Sequence, residues 1–492
     1  MDGNKMPLLD EAVWSGKIYV GEWTAGAAGI ETVTAPADGS KVAEIGRASP
    51  DDLARAAARA AARQPAWEAT APARRAEILN RTADILEANA EELIPWIIRE
   101  SGSIPSKAGI EIQHSAGFLR AAADAALQPG TMALASVDGR DAEEELIRVA
   151  HGVVGVISPF NFPLILSIRA IAAALATGNA VVHKPDPRTP ISGGVMIARA
   201  FEEAGLPEGL LHIVPGGADV GAALCEDPNI AMVSFTGSPE VGSRVGEAGG
   251  RTLKKVQLEL GGKNALIVME DADLELAASN AAWGSWLHQG QICMATGLIL
   301  APAAMADSLA EMLAAKAAHL PVGDPSRENC ALGPLIAESE AARIKGIVDD
   351  AVARGARLHV GGTPRGTMFP ATVLSGVRPG MRAFEEEIFG PVAVVCAYES
   401  DDEAVELANR TPFGLVGSVI GTDVARARAL GMRLRVGHLH INDQTVTASP
   451  IAPFGGRGRS GNGSRISGPA IWEEFTQYLW VTTRRAAAPY PF

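Results

Sequence analysis

From Val153 onward, short apolar runs alternate with helical stretches. No other feature constrains the fold as tightly. Residues 153–157 (Val-Val-Gly-Val-Ile) read as a strand, 164–177 as a helix stopped by Gly178, and 180–182 as the next strand. Residues 191–203 read as a helix ended by Gly205, and 211–214 as a strand before Pro215-Gly216-Gly217. Residues 232–235 form another strand, with Gly237 opening the next helix. Strands joined through helices by short loops run parallel, so this stretch predicts an α/β fold with a doubly wound sheet. A second alternating unit begins near Glu259: a strand at 265–268, a helix at 274–287, a strand at 298–300, a helix around 309–318 and a strand at 392–398.

The flanking regions are simpler. Ser49-Pro50-Asp51-Asp52 is a helix start, with a capping serine, proline in the first turn and acids beside the positive end of the dipole. Further helices are expected at 73–88, with Ile78, Leu79, Ile85 and Leu86 on one face, and from near Asn89, with Leu93, Ile94, Ile97 and Ile98. Residues 143–151 alternate apolar and polar side chains. With 476–483 they predict a two- or three-stranded flap whose open edges invite pairing with another subunit.

A length of 492 residues allows two or three domains around a large core. The formal charge of −14 argues against nucleic acid and anionic lipid as partners. Between Arg148 and Lys184 the only formal charge is Arg169, which imitates a membrane span. Pro159, Asn161, Pro163, Gly178 and Asn179 break the run, so buried strands and a buried helix are expected instead. Four cysteines (Cys225, Cys293, Cys330 and Cys396) form no CxxC pair, so neither a metal site nor a disulfide framework is expected. With no apolar run in the first fourteen residues, a reducing cytoplasm is the expected location.

Ligands of open parallel sheets bind beyond the carboxyl ends of the strands. Ser158-Pro-Phe-Asn161, Lys184-Pro-Asp186, Gly216-Gly217 and Thr236-Gly237-Ser238 each follow a predicted strand, so four strand ends converge on one crevice. Gly237-Ser-Pro-Glu-Val-Gly242 departs from the usual GxGxxG pattern, but its place after a strand suits a helix N-terminus facing pyrophosphate. Cys293 alone would read as a core residue. Glu259, an acid between apolar neighbours, needs a task or a partner such as Lys263. Asn161, between two phenylalanines, is either a functional amide or a cap for the helix near Pro163.

Ser-Pro-Phe-Asn-Phe-Pro (158–163), His-Lys-Pro-Asp (183–186), Phe-Thr-Gly-Ser (235–238), Leu-Glu-Leu-Gly-Gly-Lys-Asn (258–264), Gly-Gln-Ile-Cys (290–293), Glu-Ile-Phe-Gly-Pro (387–391) and Pro-Phe-Gly-Gly (453–456) occur in this order. Together they resemble the aldehyde dehydrogenase superfamily, over nearly the whole chain. The resemblance implies a Rossmann-type NAD(P)-binding domain at 1–128 and 151–258. It implies an α/β catalytic domain at 259–462 and a β oligomerisation flap at 129–150 and 463–492, in a homodimer or homotetramer. It further implies Cys293 as nucleophile, Glu259 as the acid that activates water, and Asn161 with the Cys293 backbone N–H as oxyanion hole. On the cofactor side it implies Ile157, Ser158, Pro159, Phe160, Lys184, Pro185, Asp186, Gly217, Gly221, Phe235, Gly237, Ser238, Val241, Gly242, Leu260, Gly261, Glu387 and Phe389. The intact catalytic set argues against a non-catalytic dinucleotide-binding relative, and Glu259 argues for release of acid by hydrolysis.

Pro187 stands where NAD-selective relatives carry an acid, and Arg188 follows it. NAD is the expected cofactor, with NADP tolerated. The segments at 184–189, 441–446 and 460–463 are similar to the benzaldehyde, vanillin and salicylaldehyde dehydrogenase branch. The family's substrate tunnel would here be lined by Asn161, Phe162, Ile165, Leu166, Arg169, Trp286, Ile292, Met294, Val446 and Phe454, which suits a flat apolar ring. An aliphatic aldehyde or semialdehyde is the alternative substrate. Arg169 is expected either to meet a substrate group or to pair with a core acid.

Overall fold

The computed structural model describes residues 7–135, 142–487 and 489–492. Residues 1–6, at the N-terminus expected to carry no leader, and residues 136–141 and 488, within the expected flap segments, lie outside the described residues. The first sheet has seven strands, in the order Lys255–Glu259, Ile230–Thr236, Val153–Ile157, Ala180–Lys184, Leu211–Ile213, Lys17–Tyr19 and Trp23–Ala25. The first five are parallel and the last two antiparallel. Strand order reverses direction at Val153–Ile157, whose neighbours are the next strand in sequence on one side and Ile230–Thr236 on the other. Lys184, Ile157, Phe235 and Leu258 lie side by side in register at the carboxyl ends. The two antiparallel strands have only three residues each, too short to show alternation, and were not foreseen.

The second sheet, also of seven strands, runs Arg357–Val360, Thr372–Ser375, Val392–Tyr398, Thr296–Pro302, Asn264–Val268, Val416–Ile420 and His438–Ile441. All its pairs are parallel except the first. Glu259 therefore closes a strand of the first sheet, and the chain passes to the second between Glu259 and Asn264. A third sheet pairs Thr131–Leu134, Glu143–Ala150 and Thr476–Thr483 antiparallel, the three-stranded form of the flap. Tyr478, Leu479 and Trp480 on its outer strand are exposed.

The helix Pro163–Ala176 explains the membrane-like composition of its segment. Every residue in it except Leu166 is buried. Leu164, Ile168, Ile171 and Leu175 are fully enclosed, and burial of each such side chain stabilises the fold by about 1.5–3 kcal/mol. No helix among the described residues is long and apolar enough to cross a membrane. The helix expected at 191–203 opens instead with a π-helical turn, Ile191–Val195, before Met196–Ala204. The buried Glu100 carboxylate accepts the N–H groups of Ile191 and Ser192 at 2.7 Å each, anchoring this wider turn. A further helix, Pro105–Ala126, packs its buried face on Pro163–Ala176. That face carries Lys107, Glu111 and Ser115, which interrupt the apolar stripe by which the helix would have been recognised.

Candidate active site

The carboxyl ends of the first sheet open into a cavity of about 540 Å³, at the point where strand order reverses. Ile157, Ser158, Pro159, Phe160 and Asn161 line it from the first parallel strand end, Lys184 and Asp186 from the second. Phe235, Gly237, Ser238 and Val241 line it from the fourth, and Glu259, Leu260 and Gly261 from the fifth. Cys293, Glu387 and Phe389 enter from the segments that carry the second sheet. Residues more than two hundred positions apart in sequence thus share one chamber.

Cys293 is partly exposed to this cavity and sits just beyond a strained turn. His288, Gln289 and Gly290 all adopt left-handed backbone, with φ of 48°, 56° and 67°. For residues with a β-carbon this costs on the order of 1–3 kcal/mol each and persists only where the surroundings enforce it. Gln289 is held by bonds from its Nε2 to the carbonyls of Gly102 (3.1 Å) and Pro334 (2.9 Å). A β-carbon on Gly290 would lie 2.2 Å from the Gly390 carbonyl oxygen, so no other residue fits there without a shift. Gln291 Oε1 accepts from Ile336 N at 3.0 Å, and Asn264 Nδ2 donates to the Cys293 carbonyl at 2.8 Å. The loop is therefore tied down on both sides of the cysteine.

Burial pushes the Cys293 thiol up to about 12; the nearby Glu387 and Glu259 carboxyls push the same way, while Arg169 pulls it down. The Arg169 guanidinium carbon lies over the Phe454 ring, 4.4 Å from its centroid. Its Nε has no hydrogen-bond partner, and none of the described ion pairs includes it, so the core salt bridge foreseen as an alternative is not formed. Glu259 is raised to about 8 by burial, against the opposing pull of Arg169 and of a hydrogen bond from Gln257. Gln257 Nε2 donates to Glu259 Oε1 at 2.9 Å, whereas Oε2 is buried with no partner. Lys263 is not its partner, because Nζ donates to the Ala383 carbonyl at 2.7 Å. Asn161 does not cap the helix after it. Its Nδ2 donates to the Gln291 carbonyl at 2.8 Å, which draws the amide against the loop that carries Cys293.

The remaining lining suits a dinucleotide. Ser238 caps the helix Pro239–Arg251, accepting from Val241 N at 3.3 Å, and puts the positive end of that dipole at the cavity. Lys184 Nζ is buried with only a 3.4 Å contact to the Pro185 carbonyl, a cation with spare donors for ribose or phosphate oxygens. A β-carbon on Gly261 would lie 2.0 Å from Glu387 Oε2, so glycine is what admits this carboxyl. Glu387 Oε1 accepts from Gly262 N at 3.0 Å, and burial raises its pKa to about 7. Phe389 stands edge-on to Phe160 at 6.0 Å. Arg188 grips Asp186 through two bonds of 2.8 and 2.7 Å while stacking over Phe160 at 4.2 Å.

With this geometry in view, the sequence profile described as the Aldehyde dehydrogenase family matches residues 23–481. The chain belongs to this family. It is 50% identical to a vanillin dehydrogenase of Amycolatopsis over 488 residues, covering 99% of this chain and all of the relative. A benzaldehyde dehydrogenase [NAD(+)] of Pseudomonas putida is 44% identical, covering 98% of this chain and 99% of that one. Among solved structures, a salicylaldehyde dehydrogenase from Pseudomonas putida G7 complexed with salicylaldehyde superposes with a TM-score of 0.94 at 33% identity. That match covers 97% of this chain and 99% of the other.

Not every residue expected of an aldehyde dehydrogenase site lines this cavity. Pro185, Gly217, Gly221 and Gly242 are not among the residues that line it. Gly217 is the N-cap of the helix Ala218–Glu226, Gly221 packs along the Lys184 stem, and Gly242 packs on Leu260. On the tunnel side, Asn161, Leu166, Arg169 and Phe454 are lining residues. Phe162, Ile165, Trp286, Ile292, Met294 and Val446 are not. Ile165, Trp286 and Ile292 are buried, and Phe162, Met294 and Val446 are half-buried. Five lining residues had been given no binding role: Arg188 and Thr236, which were placed beside the crevice, and Glu240, Glu340 and Arg343. Thr236 belongs to one of the four strand ends expected to converge on the crevice, and Glu240 lies inside the segment 237–242, so both were within reach of inspection. Glu340 and Arg343 come from the helix Glu338–Ala353, and no local pattern marks them. Arg343 donates to the Ile388 carbonyl at 2.6 Å and pins the segment after Glu387.

Proposed function

We propose that this aldehyde dehydrogenase oxidises an aromatic aldehyde to the carboxylic acid with NAD, Cys293 acting as nucleophile, Glu259 as base and Asn161 as oxyanion donor. The observation that carries the reading is their meeting with Arg169 in one cavity whose other face has the donors for a dinucleotide. Cys293 gives its thiol proton to water and adds through Sγ to the aldehyde carbon as a thiolate, a form that burial opposes and the Arg169 charge favours. Asn161 Nδ2 and the Cys293 N–H meet the oxygen as it becomes negative. When bound, the nicotinamide dinucleotide supplies the hydride acceptor that turns the thiohemiacetal into a thioester; Lys184, the helix Pro239–Arg251 and Glu387 are the groups to hold it. Glu259 in its ionised form takes a proton from water as the water attacks the thioester carbon. The carbon–sulfur bond breaks, Cys293 departs as thiolate and the acid is released.

An aromatic ring suits walls made by Leu166 and Phe454, and the similar proteins carry vanillin, benzaldehyde and salicylaldehyde in their names. The benzaldehyde relative also carries NAD(+) in its name. Arg169 favours a second reading, because a buried guanidinium with an unpartnered Nε would also receive the carboxylate of a semialdehyde. We infer in addition that the exposed apolar strand Thr476–Thr483 joins copies of the chain into a homodimer or homotetramer.

The test is formation of reduced nicotinamide from benzaldehyde, vanillin, salicylaldehyde, succinic semialdehyde and hexanal, each with NAD and with NADP. Turnover of the aromatic aldehydes with NAD, lost in Cys293→Ala, is expected. Preference for succinic semialdehyde would favour the second reading. Activity retained in Cys293→Ala would overturn the mechanism.

A further inference from the structure

The helix Pro105–Ala126 contributes no residue to the cavity, yet it carries a fully buried ion pair. Lys107 Nζ lies 2.6 Å from Glu111 Oε2, with both side chains almost wholly enclosed. Two charges taken out of water are expensive to hold, and apolar residues of similar volume often stabilise such a site better. The pair's remaining bonds all go to the turn that carries Asn161. Lys107 Nζ donates to the Asn161 carbonyl at 2.8 Å and sits over the Phe162 ring at 4.2 Å. Glu111 Oε1 accepts from Leu164 N at 2.7 Å, capping the first turn of Pro163–Ala176, which has no capping side chain of its own. On its other side Asn161 is fastened to the nucleophile loop through the Gln291 carbonyl.

We propose that Lys107 and Glu111 are positioning residues: a buried clamp that fixes the backbone of Asn161 and so aims its amide at the oxygen of the reacting aldehyde. This rests on the reading of Asn161 as oxyanion donor. A donor acts at full strength only when held in place before the charge develops, and a displacement of about 1 Å can cost on the order of a hundredfold in rate. Neither clamp residue touches substrate or cofactor, so the loss falls on kcat and not on KM.

The test is a cycle of four enzymes: wild type, Asn161→Ala, the apolar double variant Lys107→Met/Glu111→Leu, and the triple combination. The double variant replaces both charges at once and is expected to keep or raise the thermal midpoint, which separates misplacement from unfolding. The expected result is a loss of about 10- to 100-fold in kcat with both KM values within about twofold. In the Asn161→Ala background the same pair of changes should then cost about twofold or less, because the group they aim is gone. An equal loss in both backgrounds, or none in either, overturns the clamp while leaving the Asn161 reading intact. If Asn161→Ala itself keeps full kcat, the oxyanion reading fails and the clamp with it. If the double variant melts early, Lys107→Met alone is compared under conditions where its thermal curve shows it folded, and the same two-background comparison decides.

Discussion

Glu259→Gln isolates the second half of the reaction. In the fold the carboxyl is raised to about 8 from an ordinary 4.5, chiefly by burial. A base of that strength is about one-tenth ionised at pH 7 and about nine-tenths at pH 9, so hydrolysis of the thioester should quicken about tenfold across that interval. The Gln variant keeps the bond partner for Gln257 and nearly the same volume but cannot take a proton. Steady-state turnover should fall by about 10²–10⁴, the usual contribution of a positioned base. Thiolate addition and loss of hydride do not need that base, so rapid mixing of the variant with NAD and aldehyde should give a burst approaching one reduced nicotinamide per site. A slow phase that no longer rises from pH 7 to 9 should follow. Wild-type hydrolysis that is flat over this range, or a variant with neither burst nor altered pH profile, would refute the argument.

Arg169→Leu removes the charge that holds the Cys293 thiol below where burial, Glu387 and Glu259 would put it, so the thiol should rise further; alkylation by iodoacetamide at fixed pH should slow, and the rates on hydroxylated relative to plain benzaldehydes should change. Unchanged alkylation would mean that Arg169 does not favour the thiolate. On the flap, Trp480→Asp places a charge on a strand already 63% exposed at that residue; light scattering should report a smaller assembly with the fold retained by circular dichroism. Replacing Pro187 by Glu should lower activity with NADP more than with NAD, by repulsion of the 2′-phosphate, and steady-state rates with the two cofactors measure it.

The parallel units were legible because each central strand is an unbroken apolar run closed by a turn signal, and Val153–Ile157 and Val392–Tyr398 are the clearest cases. The convergence at their carboxyl ends followed from topology alone. Three kinds of feature escaped. The strand Lys17–Tyr19 owes its place in the sheet to pairing with Leu211–Ile213, a contact no local window contains, and Trp23–Ala25 is carried there by pairing with Lys17–Tyr19. The helix Pro105–Ala126 hides its pattern because Lys107 and Glu111 stand where apolar residues were sought. Ile292 and Met294 flank Cys293 in sequence but are not among the residues that line the cavity with it, and adjacency in sequence does not tell which side chains share a cavity. Family likeness named the chemistry, but only the folded chain separates residues that line the cavity from those that do not.

The protonation of the buried acids gives the molecule two electrostatic faces of opposite sign. Its formal charge is −14, so at long range it repels an anionic dinucleotide. At the cavity wall, burial holds Glu259 and about half of Glu387 neutral near pH 7. Arg188 is paired with Asp186, Arg343 with Glu340, and Glu240 with Arg459, so among the described residues Lys184 and Arg169 are left as the cations without an ion-pair partner there. An approaching cofactor therefore climbs a shallow barrier before falling into a local well. Added salt reaches the barrier first, because the distant charges lie beyond a screening length of about 10 Å at 0.1 M while the wall charges are sheltered. Moderate salt would then hasten capture of the cofactor with little loss of its hold, the reverse of the behaviour of proteins whose whole surface attracts their ligand.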